Sequence, residues 1–503
     1  MPEQPEPRTD LIAGADPTRL LDAVFVNAPL RDYEKRPRVN DYTLPVLGMA
    51  YIATYARQQG LNVGLLDAEA HGLSVREAVD AVNTARPRWV GMNLLAPTYE
   101  LSARIASEVS GPDRARLIVG GHHAKAMPNE ILADERFKHV EALVVGEGET
   151  RVAALLGGCP REQLPRILWD QQTGAPAVNM GMPGQRRSAE PIRMETDHWL
   201  SPDVDKLTLD RDFLPQDPYV ASDGRTECNI VGSRGCPYDC GFCGAAVSKN
   251  GDLKIRTRSP EHVLSELFDL QTRFGATAFR FVDDLFLGAE RIIRQFMDPF
   301  AQERIGDRFV WDATGRINVL HRAEDSVLDR LADNGLREVA LGIESGSDRV
   351  LAAMDKRITC DMTLSVARRL MERGIGVKGY FILGYPGETA DDLAATMRHV
   401  RDLWHTSDRA VGTFRASAFE FRPYPGTPIY DRLVAQGHDP QTLMDYGAVD
   451  LTDQGADESM RQRDEFNFSV GIQFTDTPLS ELRRHLAELT REQHQRNAQV
   501  VAR

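Results

Sequence analysis

Short apolar runs alternate with amphipathic stretches along most of the chain. Between residues 22 and 158 the runs AVFVNAP (23–29), NVGLLD (62–67), WVGMNLLA (89–96), RLIVGG (116–121) and ALVVGEGE (142–149) read as strands buried on both faces. The segments between them have helical spacing, and LGMAYIATYARQQG (47–60) ends on a glycine suited to a helix C-cap. Five strands separated by helices predict an α/β domain with a doubly wound, Rossmann-like parallel sheet, whose ligand crevice lies at the strands' C-terminal ends. Periodicity lapses over 159–225, where QQTGAPAVNMGMPGQRRSAEP reads as a linker. It resumes with CNIVGSR (228–234), TAFRFVDD (277–284), RFVWDAT (308–314), REVALGIE (337–344), GVKGYFILG (376–384) and FRASAFEF (414–421). These six β/α units predict an open, partial (β/α)6 barrel over 226–430, again with chemistry at the strands' C-terminal ends. Residues 431–503 form a polar, mainly helical C-terminal extension, and 1–21 a disordered N-terminal tail without an apolar signal core.

A length of 503 residues suits two or three domains. The net charge of −14 argues against a nucleic-acid or anionic-membrane partner, which clustered Lys and Arg would serve, and no apolar run reaches membrane-spanning length. Six cysteines, unevenly spaced, are unlike a disulfide framework and suit a reducing cytoplasm. Three of them, Cys236, Cys240 and Cys243, fall in SRGCPYDCGFCGAA (233–246), on the loop after the second domain's first strand. A structural zinc site takes four ligands, usually as two paired knuckles, and no second knuckle or nearby histidine is present. Three thiolates on one loop suit a [4Fe–4S] cluster with one iron left open, with a zinc site or chance cysteines as the bland alternative. Cys159, Cys228 and Cys360 read as packed thiols.

The spacing of Cys236, Cys240 and Cys243, with aromatic Phe242 before the last, resembles the radical S-adenosylmethionine (SAM) superfamily signature. The resemblance spans roughly 225–430. It implies that the cluster's open iron binds SAM and that reductive cleavage yields a 5′-deoxyadenosyl radical, with electrons from a flavodoxin- or ferredoxin-type donor. It also implies SAM contacts from Asp283 and Asp284 in FVDDLF (281–286) and from Glu344 and Ser345 in GIESGSDRVLAAMDK (342–356). The two aspartates read equally well as a helix N-cap pair. GYFILGYPGET (379–389) carries the fifth strand of that barrel.

NDYTLPVLGMAYIATYARQQG (40–60), VGGHHA (119–124) and VVGEGET (144–150), ahead of such a barrel, resemble the cobalamin-binding class of the same superfamily. That resemblance implies a corrin between the two domains, approached closely by Gly120, Gly121, Gly146, Glu147 and Gly148. In DAEAHG (67–72), Asp67 and Gly72 keep the frame of the D-x-H-x-x-G cobalamin motif, but Glu69 stands where the ligating histidine would be and His71 is out of register. The domain is then expected to bind cobalamin without a protein imidazole; a relic that binds no corrin is the alternative. His122 and His123 read as ordinary loop histidines.

Together the resemblances imply a class B type radical SAM methyltransferase that C-methylates an unactivated carbon of a small molecule; high Arg and Ala usage, as from a GC-rich genome, is consistent with antibiotic-type secondary metabolism as its setting. The alternative is a radical SAM diol dehydratase or rearranging enzyme that transfers no methyl group. Arg422 and Tyr424 in FEFRPYPGTPIY (419–430) are the candidates for orienting a polar substrate.

Overall fold

The computed structural model describes residues 11–34, 43–169, 199–221, 223–250, 255–445 and 471–501. Residues 1–10 of the expected tail, 40–42 of the cobalamin-type stretch, 170–198 of the expected linker and 446–470 of the extension lie outside the described residues. The chain divides into two compact units, Met1–Asp217 and Pro218–Arg503.

In the first unit the apolar runs become β1 (Ala23–Asn27), β2 (Val63–Asp67), β3 (Trp89–Asn93), β4 (Arg116–Gly120) and β5 (Val140–Val144), followed by a short β6 (Ile167–Leu168). Their order is β2-β1-β3-β4-β5-β6; β1 to β5 are parallel and β6 closes the edge antiparallel. Burial on both faces explains why β1 and β2 carry almost uninterrupted apolar sequence. The chain reverses direction across the sheet between β1 and β3, and this puts the unit's crevice at their C-terminal ends. Helix Val75–Ala85 starts with a reciprocal capping box between Ser74 and Glu77.

The structure is ordered sooner and later than the sequence pattern marks. Residues 11–21, expected in a disordered tail, are folded: Ala13 bridges Leu65 antiparallel, and Leu11 is buried. Polar side chains there serve the backbone, with Asn62 Oδ1 accepting from Asp16 N–H at 2.9 Å, so no hydrophobic period announces the segment. At the other end, 199–217 of the expected linker belongs to this unit. Asp210 N–H donates to Thr54 Oγ1 at 2.9 Å, and Arg57 stacks 4.0 Å over the Phe213 ring.

The second unit holds β7 (Tyr219–Val220), β8 (Thr226–Ile230), the two-residue strands β9 (Ser233–Arg234) and β10 (Arg256–Thr257), then β11 (Ala278–Phe281), β12 (Val310–Gly315), β13 (Leu336–Glu344), β14 (Gly376–Leu383) and β15 (Phe414–Glu420). Its main sheet runs β15-β14-β13-β12-β11-β8-β7. Six strands are parallel, β7 is antiparallel to β8, and the described residues show no pairing of β15 with β7, so the barrel is open. Helices Pro260–Phe274, Glu290–Gln302, Asp325–Asp333, Cys360–Glu372 and Ala390–Ser407 separate successive strands. Phe279, Phe281, Phe286, Phe296, Phe300 and Trp311 form an aromatic core between sheet and helices. Alternate strand residues face the other way and carry charge. Arg415 pairs bidentately with Glu338 at 2.8 and 2.9 Å, and Arg280 meets Asp312 at 3.1 Å. Burial alone would raise the Glu338 carboxyl, but Arg415, Arg280 and Lys378 hold it down at about 2. Helix Leu479–Val501 packs on this unit through Leu482, Leu486 and Leu489.

Candidate active site

The C-terminal ends of the second unit's parallel strands gather the candidate residues, each on the segment that leaves a strand. Past β8, the 235–246 loop carries the three cysteines. It is held by its own turns (Cys243 N–H to Cys240 O, 3.0 Å; Val247 N–H to Tyr238 O, 2.9 Å). It is also fastened to later parts of the barrel, with Gly241 N–H donating to Met354 O at 2.9 Å and Gly241 O accepting from Ile429 N–H at 2.8 Å. Cys240 is buried, and Cys236 and Cys243 are partly so. Burial pushes the Cys243 thiol up to about 12, against the Ala245 N–H that favours its thiolate, and raises Cys236 in the same way. Such thiols ionise only if a cation compensates, which is the task of a metal site. Among the described residues no three Cys, His, Asp or Glu side chains converge on a single ion position. Three sulfurs on one fastened loop do fit a polynuclear iron–sulfur cluster.

The other residues divide into those turned toward this loop and those turned away. Asp284, after β11, is exposed, and its charge acts on Cys236 and Cys243. Asp283 is buried and turned inward. Its carboxylate accepts from Gly232 N–H at 3.1 Å and from Ser233 N–H, clamping the start of the cysteine loop. In the structure Asp283 thus acts as a clamp on this loop. Burial lifts its pKa to about 7 despite those two donors. Ser345 is fully buried, and its hydroxyl is engaged with Thr396 Oγ1 at 3.1 Å and Ser347 N–H at 3.2 Å. Glu344 ends β13 with φ +65°, a left-handed conformation that costs a non-glycine residue about 1–3 kcal/mol. This turn aims Glu344 Oε1 at Lys356 Nζ, 2.5 Å away, in a buried ion pair. Lys356 Nζ in turn lies 5.4 Å from the Phe242 ring centroid. After β15, Arg422 Nη1 donates to Tyr424 Oη at 2.8 Å, so the two substrate candidates form one polar pair.

Two residues here escaped the sequence reading. Arg316, immediately after β12, contacts the cysteine loop itself, and Glu388 accepts from Gly384 N–H at 2.6 Å to shape the turn after β14. A carboxylate four residues from a strand-end glycine was a visible signal; nothing local marks Arg316.

In the first unit, Gly120–Gly121 and Gly146–Gly148 leave β4 and β5. Gly121 has φ +98°, and a Cβ there would come within 2.1 Å of Asn93 Oδ1, so only glycine fits. The 146–148 loop is fixed from below by Arg151, fully buried, which donates to the carbonyls of Val145 (3.0 Å), Pro165 (3.1 Å) and Glu147. Bare glycine backbone at neighbouring strand ends fits a corrin or its nucleotide tail. Glu69 is buried, with Oε2 accepting from Leu30 N–H and Oε1 from Tyr33 Oη, both at 2.8 Å. It fastens the loop after β1, and no imidazole occupies its position.

Comparison with known proteins now bears on both units. Residues 230–400 match the Radical SAM superfamily, and residues 39–156 match the B12 binding domain. The chain belongs to the radical SAM superfamily, with a B12-binding domain ahead of the radical SAM domain. Its cofactors are those of the two domains: SAM and a [4Fe–4S] cluster in the radical SAM domain, cobalamin in the B12-binding domain. Relatives of this radical SAM enzyme include the "Uncharacterized methyltransferase PH0819" of Pyrococcus horikoshii, 27% identical over 79% of this chain and 80% of the relative. The cytidylyl-2-hydroxyethylphosphonate methyltransferase of Streptomyces wedmorensis is 24% identical over 78% of each chain. The anaerobic magnesium-protoporphyrin IX monomethyl ester cyclase of Rubrivivax gelatinosus is 24% identical over 77% of this chain and 66% of the relative. Among solved structures, the radical SAM methyltransferase TsrM from Kitasatospora setae, with cobalamin and a [4Fe–4S] cluster bound, superposes with a TM-score of 0.59. At 19% identity over 83% of this chain and 75% of TsrM, the likeness is one of fold.

Proposed function

We propose that this radical SAM enzyme is a cobalamin-dependent methyltransferase acting on an unactivated carbon of a small metabolite of secondary metabolism. The observation that carries the reading is the pairing, in one chain, of a fastened three-cysteine loop with a B12-binding domain whose glycine loops lie at its sheet's C-terminal ends. Together the three groups supply reductive cleavage of a sulfonium, hydrogen abstraction by the adenosyl radical and a methyl group for the carbon radical. Neither polar methylation nor plain hydrogen abstraction calls for both domains.

The chain's own residues would act as holders and orienters. Cys236, Cys240 and Cys243 ligate the cluster. Asp284, exposed beside them, would hold the SAM ammonium, and Lys356, paired with Glu344, would hold its carboxylate end. Asp283 keeps the cysteine loop in register by clamping Gly232 and Ser233. The Arg422–Tyr424 pair offers a polar substrate one cationic donor and one hydroxyl. Gly120, Gly121 and the Gly146–Gly148 loop cradle the corrin, and Glu69 holds the loop after β1 in place without ligating cobalt. A flavodoxin- or ferredoxin-type protein supplies the electrons.

The cyclase among the relatives favours a second reading, in which the same radical chemistry rearranges or dehydrates the substrate without methyl transfer. Incubating the reconstituted enzyme with methyl-labelled SAM and candidate small metabolites separates the two. Methyl transfer gives labelled product with S-adenosylhomocysteine and 5′-deoxyadenosine in equal amounts, two SAM per turnover. Product with 5′-deoxyadenosine alone and no gain of label would establish the second reading.

A further inference from the structure

Arg316 leaves β12 directly into the site and is 6% exposed. Its guanidinium is directed at the cysteine loop and the segment behind it. Nη1 donates to Cys240 Sγ at 3.4 Å, and Nη2 donates to the Lys356 carbonyl. Its plane lies 3.9 Å from the centroid of Tyr238, a residue of the stretch between Cys236 and Cys240. The loop's two aromatics thus each carry a buried cation, Arg316 on Tyr238 and Lys356 on Phe242. The two cations differ in one respect. Glu344 neutralises Lys356, whereas among the described residues no carboxylate forms an ion pair with Arg316. The one strongly polarisable acceptor given to Arg316 is the sulfur of Cys240.

We infer that Arg316 is a positioning residue that raises the reduction potential of the iron–sulfur cluster through its hydrogen bond to the Cys240 sulfur. This rests on the three-cysteine assignment above. Reduction adds one electron to the cluster, and part of that charge resides on the ligating sulfurs. Where burial removes water, a fixed positive charge and an N–H aimed at a sulfur stabilise the reduced form more than the oxidised one. The Tyr238 ring and the Lys356 carbonyl hold the guanidinium in place in advance, and no reorganisation is needed when the electron arrives. Such a donor brings a desolvated cluster within reach of a protein reductant.

The test is a redox titration of the anaerobically reconstituted full chain, followed by electron paramagnetic resonance, with iron and sulfide content measured alongside. For Arg316→Met with unchanged iron content, the reduced-to-oxidised ratio at the wild-type midpoint should fall about tenfold, a midpoint about 59 mV more negative for a one-electron couple. Arg316→Lys keeps the charge but not the planar fork, and should shift the same way by less. Equal midpoints in wild type and both variants would overturn the inference. If Arg316→Met takes up no cluster, Arg316→Lys decides, and a wild-type midpoint there overturns it. A wild-type chain that binds no cluster would overturn the cysteine assignment first and this inference with it.

Discussion

The imidazole of His123 lies 4.7 Å from the Tyr99 ring, and burial pushes its pKa down to about 4. Between the ordinary value of 6.5 and about 4, the unfolded chain takes up a proton that the folded chain refuses. Stability from this residue is therefore complete above pH 6.5 and is lost as pH falls through that window, by up to roughly 3 kcal/mol. Urea unfolding of the first unit should show about 2 kcal/mol more loss between pH 7 and pH 5 in the wild type than in His123→Phe, which keeps an aromatic ring beside Tyr99. Equal losses would mean that the folded state admits the proton. At this scale the sequence spoke clearly for Cys236, Cys240 and Cys243, whose residue type and spacing are themselves the chemistry. It did not speak for Arg316 or Arg151. An arginine's role depends on which acceptors the fold brings to it, and Arg316 meets its sulfur across 76 residues of sequence. Nor did the sequence show the internal hydrogen bonds of Asp283 and Ser345, because the direction a side chain takes at a strand end is set by neighbouring donors and acceptors.

Helix Leu479–Val501 shows how a sequence element acquires its purpose only in the fold. The helical character of the extension was legible, but not that this helix lies along β15, whose outer edge the described strands leave unpaired. Gln493 completes the match: its side-chain carbonyl accepts from Ala416 N–H of that strand at 2.7 Å and from Trp404 Nε1 at 3.1 Å. Gln493→Leu fills the space but leaves two buried donors without an acceptor, at a cost of about 2–4 kcal/mol. Thermal or urea unfolding of the second unit should register that loss, and hydrogen exchange should show the Ala416 amide opening faster than the β13 amides. An unchanged exchange rate at Ala416 would assign the edge's protection to the apolar face of Leu482, Leu486 and Leu489 instead. The long parallel strands were each located by their apolar runs, although several ran past the true strand end, as at 142–149 for β5 and 277–284 for β11.

Across the whole molecule, the alternation of β and α elements disclosed both sheets, and the motifs disclosed both domains. What pattern could not supply was where each unit stops, since residues 11–21 and 199–217 bury scattered apolar side chains such as Leu11, Leu207 and Phe213, and make polar contacts, without any regular apolar period. The full chain also carries the test of the missing imidazole. With Glu69 committed to Leu30 and Tyr33, cob(II)alamin bound to the protein should give a paramagnetic resonance spectrum without axial-nitrogen superhyperfine splitting. The spectrum of His71→Ala should be indistinguishable from wild type. Splitting that disappears in His71→Ala would instead place that histidine on the cobalt.

A barrel left open has two bare margins, and each margin of this sheet carries its own guard: the two-residue β7 on one side and the C-terminal helix on the other. Anyone trimming the protein to its six repeating units, residues 226–430, would remove both guards at once. The fragment would keep every cysteine of the loop and every parallel strand, and still present two long rows of unpaired amides and carbonyls to its neighbours in solution. Self-association through those rows is the fate to expect of it, so the shortest useful piece of the second unit is set by what shields the sheet, not by what performs the chemistry.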